Sequence, residues 1–223
     1  MTPSRQPFES TPLRADVGSA VHGATCLNVV KHASQVSAAE RRALLRQQPA
    51  TVWLTGLSGA GKSTLAYAME RRLLAEGRLG FVLDGDNIRH HLSGDLGFSP
   101  AERRENIRRV AEVAALMNDA GLIVFTALIS PRQEDRERAR SIIGEARFIE
   151  VHVSTALAVC EARDPKGLYE KARTGSIPAF TGVSAPYEAP RAPALRIDTD
   201  ICCLDQSVEQ LMDFLSSRCG LAS

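Results

Sequence analysis

Five short apolar runs mark the chain: Ala50–Thr55, Leu79–Leu83, Leu122–Ile129, Phe148–Val153 and Ala194–Ile197. Each is short and bounded by polar or turn-forming residues, which predicts buried β-strands. Between them apolar residues recur at helical spacing. Ser63–Leu74 has this period, and Gly77 suits the end of that helix. Pro100–Ala120 has it too: Ser99 and Glu102 form a capping-box pattern, Pro100 suits the first turn, and Gly121 suits the exit. A shorter amphipathic helix is predicted over Ala38–Arg46, opened by Ser37 with Glu40 three residues on. Strands alternating with helices predict right-handed crossovers, hence an α/β fold with a mainly parallel five-stranded sheet flanked by helices. Ligands in such sheets bind beyond the carboxyl ends of the strands.

The first strand runs into Gly56-Leu57-Ser58-Gly59-Ala60-Gly61-Lys62-Ser63, the pattern G-x-x-x-x-G-K-[ST] of phosphate-binding loops. Strand, glycine loop and helix is the order the chemistry needs. Glycines let backbone N–H groups turn toward phosphate oxygens, and the helix N-terminus adds positive potential. Lys62 can reach the β- and γ-phosphates, and the Ser63 hydroxyl can sit on Mg²⁺. The plainer reading, a glycine turn opening an ordinary helix, leaves the preceding strand and the lysine unexplained. The second strand runs into Asp84-Gly85-Asp86-Asn87-Ile88-Arg89. Asp84 and Asp86 at a strand end beside a phosphate loop suit Mg²⁺ coordination and activation of an acceptor hydroxyl; a simple turn is the alternative. The third strand runs into Ile129-Ser130-Pro131.

On the Pro100–Ala120 helix, Ile107, Val110, Ala114 and Met117 share one face, with Glu105, Arg108, Arg109 and Glu112 opposite. Arg103 and Asn106 fall on or beside the apolar face. A core helix turns Arg and Asn inward where a cleft lies there, so the pair marks a substrate-facing position; solvation at the helix end is the competing reading. Further on, Arg163–Arg173 is basic and is bracketed by Pro and Gly, with Ile177–Gly182 following. Such a segment suits a mobile lid closing over phosphates, here about residues 163–183, against a merely solvated basic helix.

Composition narrows the partners. Lys+Arg 27 against Asp+Glu 26 gives a formal charge of +1, which makes no global case for nucleic acid or a membrane surface. Residues 1–25 lack periodicity and are expected to form a flexible tail, leaving 26–223 as one kinase-sized domain. The five cysteines form no C-x-x-C motif, and their odd number argues against a full disulfide framework. The expected location is cytoplasmic.

Read together, the motifs resemble the adenylylsulfate kinase (APS kinase) family from about Asn28 to Asp198. The stretches that carry the resemblance are Gly56–Thr64, Leu83–Arg89, Asp95–Ser99, Arg103–Arg109, Ile129–Pro131, Asp164–Tyr169, Phe180–Gly182 and Pro186–Pro190. The resemblance implies a P-loop kinase that transfers the ATP γ-phosphoryl group to the 3′-hydroxyl of adenylylsulfate with Mg²⁺ as cofactor. It implies ATP binding by Gly56–Thr64 and Arg163, and a metal site at Ser63, Asp84 and Asp86. Arg89, Arg103, Asn106 and Ile129 would hold adenylylsulfate, Phe98 and Phe180 would clasp its adenine, Lys166 would belong to the lid, and Asp86 would orient or deprotonate the hydroxyl. It further implies a homodimer and an ATP sulfurylase partner.

Ser130 reads two ways. The family position is described as a phosphoserine intermediate, which would make it catalytic beside Lys62 and Asp86. Locally, Ser130 before Pro131 with Gln133 three residues on is a helix N-cap pattern. Direct in-line transfer needs no covalent step, and the capping reading is the one expected here. Two departures from the family stand out: Lys31 where many relatives carry Trp, and Ser176-Ile177-Pro178-Ala179 where relatives tend to carry Glu and Lys or Arg. Rival functions are another small-metabolite or nucleotide kinase, a GTP switch, or a silent sulfurylase-associated domain. The chain lacks an Asn-Lys-x-Asp guanine motif and keeps Lys62, Ser63 and Asp86.

Overall fold

A computed structural model describes residue 30 and residues 32–221. The tail expected over residues 1–25, Cys26 and the departure at Lys31 lie outside the described residues. From Val36 onward the chain forms one compact unit. It opens with α1 (Ala38–Leu45), where Ser37 and Glu40 make the expected reciprocal cap. Five strands follow, β1 (Ala50–Thr55), β2 (Gly80–Asp84), β3 (Ile123–Ala127), β4 (Phe148–Ser154) and β5 (Leu195–Asp198), all parallel in the order β2-β3-β1-β4-β5. The connecting helices are α2 (Lys62–Ala75), α3 (Gly85–His90), α4 (Pro100–Asp119), α5 (Gln133–Ile143), α6 (Leu157–Arg163) and α7 (Leu168–Arg173), and α8 (Leu204–Cys219) ends the unit.

The central strand β1 is buried along its whole length, because both faces of the sheet are covered. Its side chains alternate between two cores, as the two-residue strand period requires. Val52 and Leu54 join Leu65, Met69 and Leu73 of α2 and Leu211 and Leu215 of α8. Trp53 points the other way, into a layer with Ile107, Val110 and Ala114 of α4 and Ala139 of α5. Fully burying side chains of this size contributes about 1.5–3 kcal/mol each. These two layers hold the strand ends, and hence the site, in fixed register.

The expected third strand runs too long. β3 stops at Ala127, and Leu128 and Ile129 continue as loop. The chain turns there to Ser130, whose φ of 38° cannot extend a strand.

Candidate active site

At the end of β1 the glycine loop wraps around the N-terminus of α2. A Cβ on Gly56 would collide with the Val153 carbonyl oxygen, so only glycine lets the loop press against β4. Gly61 takes φ 92° at the N-cap of α2 and starts the helix with its N–H groups facing the loop. Two residues given no role from sequence hold the loop from behind. Tyr169 Oη donates to Ser58 O at 2.9 Å, and Thr199 Oγ1 donates to Ala60 O at 2.9 Å. Thr199 follows β5, so the strand-end rule would have found it.

Lys62 is buried and folds over its own loop, donating to Gly56 O at 3.0 Å and Leu57 O at 2.7 Å. Burial pushes its ammonium down to about 8, only partly offset by nearby anionic groups. Polyphosphate would supply the missing counter-charge. Ser63 Oγ donates to Asp84 Oδ2 at 2.6 Å. The other oxygen of Asp84 accepts from Asp86 N at 3.0 Å and Asn87 N at 3.4 Å, capping α3. That cap is why the acidic stretch becomes a short helix rather than a plain turn. Asp86, freed from backbone duty, reaches out to Lys166 and forms an ion pair with it.

Across the cleft, Phe98 is 64% exposed and carries the Arg89 guanidinium 4.3 Å from its ring centre and that of Arg103 at 5.8 Å. Arg89 donates to Gly97 O at 2.8 Å; Arg103 donates to Phe98 O at 2.8 Å, Thr181 Oγ1 at 3.1 Å and Ala179 O at 3.1 Å. Burial lowers the pKa of both, and the Arg89 charge lowers that of Arg103 further. Neither has a direct carboxylate partner among the described residues, so the two cations leave positive potential for an anion. Asn106 is only 4% exposed, and its Oδ1 has no hydrogen-bond partner among the described residues. A buried amide oxygen without a donor is uncommon unless a ligand supplies one. The inward placement of Arg103 and Asn106 is thus observed, and both line the same cleft as the phosphate loop.

That cleft holds about 1140 Å³ and is lined by Lys62, Asp84, Asp86, Arg89, Phe98, Arg103, Asn106, Ile129, Ser130, Arg163, Lys166 and Phe180, among others. Phe180 is buried and meets Tyr169 edge-on, with ring centres 5.0 Å apart, so it forms a wall rather than a free clasp. Arg163 is tied to Thr199 and the Gly59 carbonyl. The basic segment forms α7, which packs Tyr169 and Ala172 inward; its Lys171 and Arg173 lie on the surface. The cleft also reaches Cys202, Cys203, Leu204 and Ser207, which no sequence motif marks.

The capping reading of Ser130 is overturned. The helix begins at Gln133, not Pro131, with Arg132 as its cap residue and no side-chain cap bond there. The carboxylate of Glu188 does the capping instead, accepting from Gln133 N at 2.8 Å. Ser130 is 3% exposed, and its Oγ accepts from Trp53 Nε1 at 3.1 Å. A tryptophan from the sheet floor and a distant glutamate replace the local pattern, and neither could be read from residues 130–133 alone.

A sequence model of adenylylsulphate kinase matches residues 48–198. The chain is similar to the adenylyl-sulfate kinase of Shewanella amazonensis, with 55% identity over 190 residues, covering 85% of this chain and 96% of the relative. Among solved structures it is similar to the Mycobacterium tuberculosis APS kinase CysC in complex with AMPPNP and APS: 48% identity, TM-score 0.73, 76% of this chain and 98% of that one. It is also similar to the hexameric APS kinase from Thiobacillus denitrificans, at 36% identity and TM-score 0.59, covering 80% of this chain and 31% of that one. Every stretch from the glycine loop to Phe180 lies inside the matched region, and the chain belongs to the adenylylsulphate kinase family, whose members are P-loop kinases.

Proposed function

We propose that the protein transfers the γ-phosphoryl group of ATP to the 3′-hydroxyl of adenylylsulfate, giving 3′-phosphoadenylylsulfate and ADP. One observation carries the reading. A phosphate loop and the acceptor-side groups Arg89, Arg103 and the unpartnered Oδ1 of Asn106 around exposed Phe98 share one cleft. The two guanidiniums suit the sulfate and phosphate charges of the acceptor, and Phe98 offers a flat face to its adenine.

The reaction needs little covalent help from the protein. Gly56–Thr64 and Arg163 hold ATP, and Lys62 places its charge on the transferring group. Asp86 accepts the proton of the 3′-hydroxyl as the new O–P bond forms, and the bond from γ-phosphorus to the bridging oxygen breaks to release ADP. Lys166 brings a mobile cation to the same place from the lid. Ser63 Oγ and the Asp84 carboxylate are hard oxygen donors 2.6 Å apart, with Asp86 nearby. That set suits Mg²⁺, which uses few protein ligands and keeps phosphate and water oxygens. Bound there, the ion would neutralise phosphate charge. Among the described residues no three His, Cys, Asp or Glu gather into an all-protein metal site. Ser130 has no role in covalent transfer in this scheme, since its buried hydroxyl faces a tryptophan N–H rather than a base.

The proposal includes a cytoplasmic setting, self-association as a homodimer and a supply of adenylylsulfate by ATP sulfurylase. No helix among the described residues is long and apolar enough to cross a membrane. Sedimentation would tell a dimer from the hexamer described for the Thiobacillus relative. A coupled ADP-release assay tests the substrate: turnover with adenylylsulfate and none with AMP or shikimate is expected. Comparable rates with AMP would reject it.

A further inference from the structure

Arg136 is 1% exposed, at the start of α5 behind the acceptor side of the cleft. Four of its N–H groups are committed to three separate segments. Nε donates to Glu150 Oε1 on β4 at 2.8 Å, and Nη1 donates to Ser130 O at 2.7 Å. Nη2 donates to Glu188 O and to Gln133 Oε1, each at 2.8 Å. Two of these acceptors are main-chain carbonyls of the segments that shape the Ile129–Pro131 turn. Glu188 returns the contact, its N–H donating to Pro131 O at 2.8 Å. Thr55 Oγ1 donates to Ile129 O at 2.7 Å and lies 3.0 Å from Tyr187 Oη. Ser130 sits at the centre with φ 38°, a conformation that a non-glycine residue keeps only when its surroundings impose it.

We infer that Arg136 is a positioning residue for the acceptor substrate: its guanidinium locks the Ile129–Ser130–Pro131 turn and the 187–188 strap into the shape that the acceptor meets. The inference rests on the proposed assignment of this side of the cleft to adenylylsulfate. Arg136 itself is absent from the cleft lining, whereas Ile129, Ser130 and Pro131 belong to it. The neighbouring Asp135 takes Arg104 Nε of α4 at 3.2 Å. The same first turn of α5 therefore also fixes the helix that carries Arg103 and Asn106. A planar fork presents donors to Glu150, Ser130 O and Glu188 O in fixed, separate directions; the compact ammonium of a lysine has no such fork.

A purely structural ion pair would behave differently, and two variants separate the cases. The double variant Arg136→Met/Glu150→Leu replaces the buried pair with apolar side chains, a change that commonly preserves folding, but it cannot restore a donor to Ser130 O. Arg136→Lys keeps the charge opposite Glu150 without the fork. For both variants we expect at least a tenfold rise in the Kd of adenylylsulfate and in its KM, with the Kd of AMPPNP within twofold of wild type. A double variant that folds and binds adenylylsulfate normally overturns the inference. So does a parallel loss for both ligands, or a normal Kd in Arg136→Lys should the double variant fail to fold. Arg103→Ala serves as the control for the site assignment. If it selectively weakens adenylylsulfate while the Arg136 variants do not, the positioning role fails and the site stands; if it leaves adenylylsulfate binding intact, the site assignment itself fails.

Discussion

The Ser63 hydroxyl donates to the Asp84 carboxylate at 2.6 Å, joining the phosphate loop after β1 to the end of β2 although β3 lies between those strands. The bond spans the place to which the proposed function assigns the phosphates and their counter-ion. It puts the loop and the acidic turn under one geometric constraint.

Asp84 therefore has two jobs, and two substitutions separate them. Asp84→Asn keeps an oxygen for the cap of α3 but removes the charge. Turnover should fall by a hundredfold or more, about 3 kcal/mol, as for loss of a preorganised electrostatic group, with little change in melting temperature. Asp84→Ala should add a stability loss of about 1 kcal/mol from the missing cap. Equal melting losses in the two variants would contradict the division.

Lys62 gives a pH signature. Its pKa, about 8, lies below the ordinary value of 10.5, so between these the unfolded chain holds more protons than the folded one. The resulting penalty, on the order of 3 kcal/mol, is full below pH 8 and lifts as pH rises toward 10.5. Stability of the wild type relative to Lys62→Met should thus increase between pH 7.5 and pH 10, measured by urea midpoints at both. Turnover in Lys62→Met should be lost. A stability difference that does not change with pH would contradict the buried, charged lysine.

Much of this was legible in the sequence, for physical reasons. The Gly56–Ser63 spacing and the strand before it specify a phosphate loop by backbone requirement alone. The period of the Pro100–Ala120 segment was enough to turn Arg103 and Asn106 inward. What stayed hidden depended on contacts between distant segments. Ser130 looks like a cap because its neighbours fit the local pattern, but Trp53, 77 positions away, claims its hydroxyl, and Glu188 caps the helix. Tyr169 likewise acts on the glycine loop only once α7 is folded against it.

Asn106 should show a trade between stability and binding. Its orphaned Oδ1 is a liability until a ligand donates to it. Asn106→Ala should leave the melting temperature of the ligand-free protein unchanged or higher, and weaken adenylylsulfate binding by about 1–3 kcal/mol. AMPPNP affinity should not move. Calorimetry showing equal losses for both ligands would contradict the acceptor-side assignment.

Ser130→Ala should keep substantial activity. The variant loses the acceptor for Trp53 Nε1, a hydrogen bond worth about 1 kcal/mol, with some further loss from leaving a buried indole N–H unpaired. The melting temperature should drop while kcat stays within severalfold of wild type. A folded but inactive Ser130→Ala enzyme would restore the hydroxyl to the chemistry.

Rapid quench with γ-phosphate-labelled ATP follows the phosphoryl group on its way from ATP to the 3′-oxygen of adenylylsulfate. With direct transfer, label appears in 3′-phosphoadenylylsulfate at the rate ADP forms, with none on the protein at any time or when ATP is added alone. Stoichiometric label on Ser130 that then passes to adenylylsulfate would contradict it.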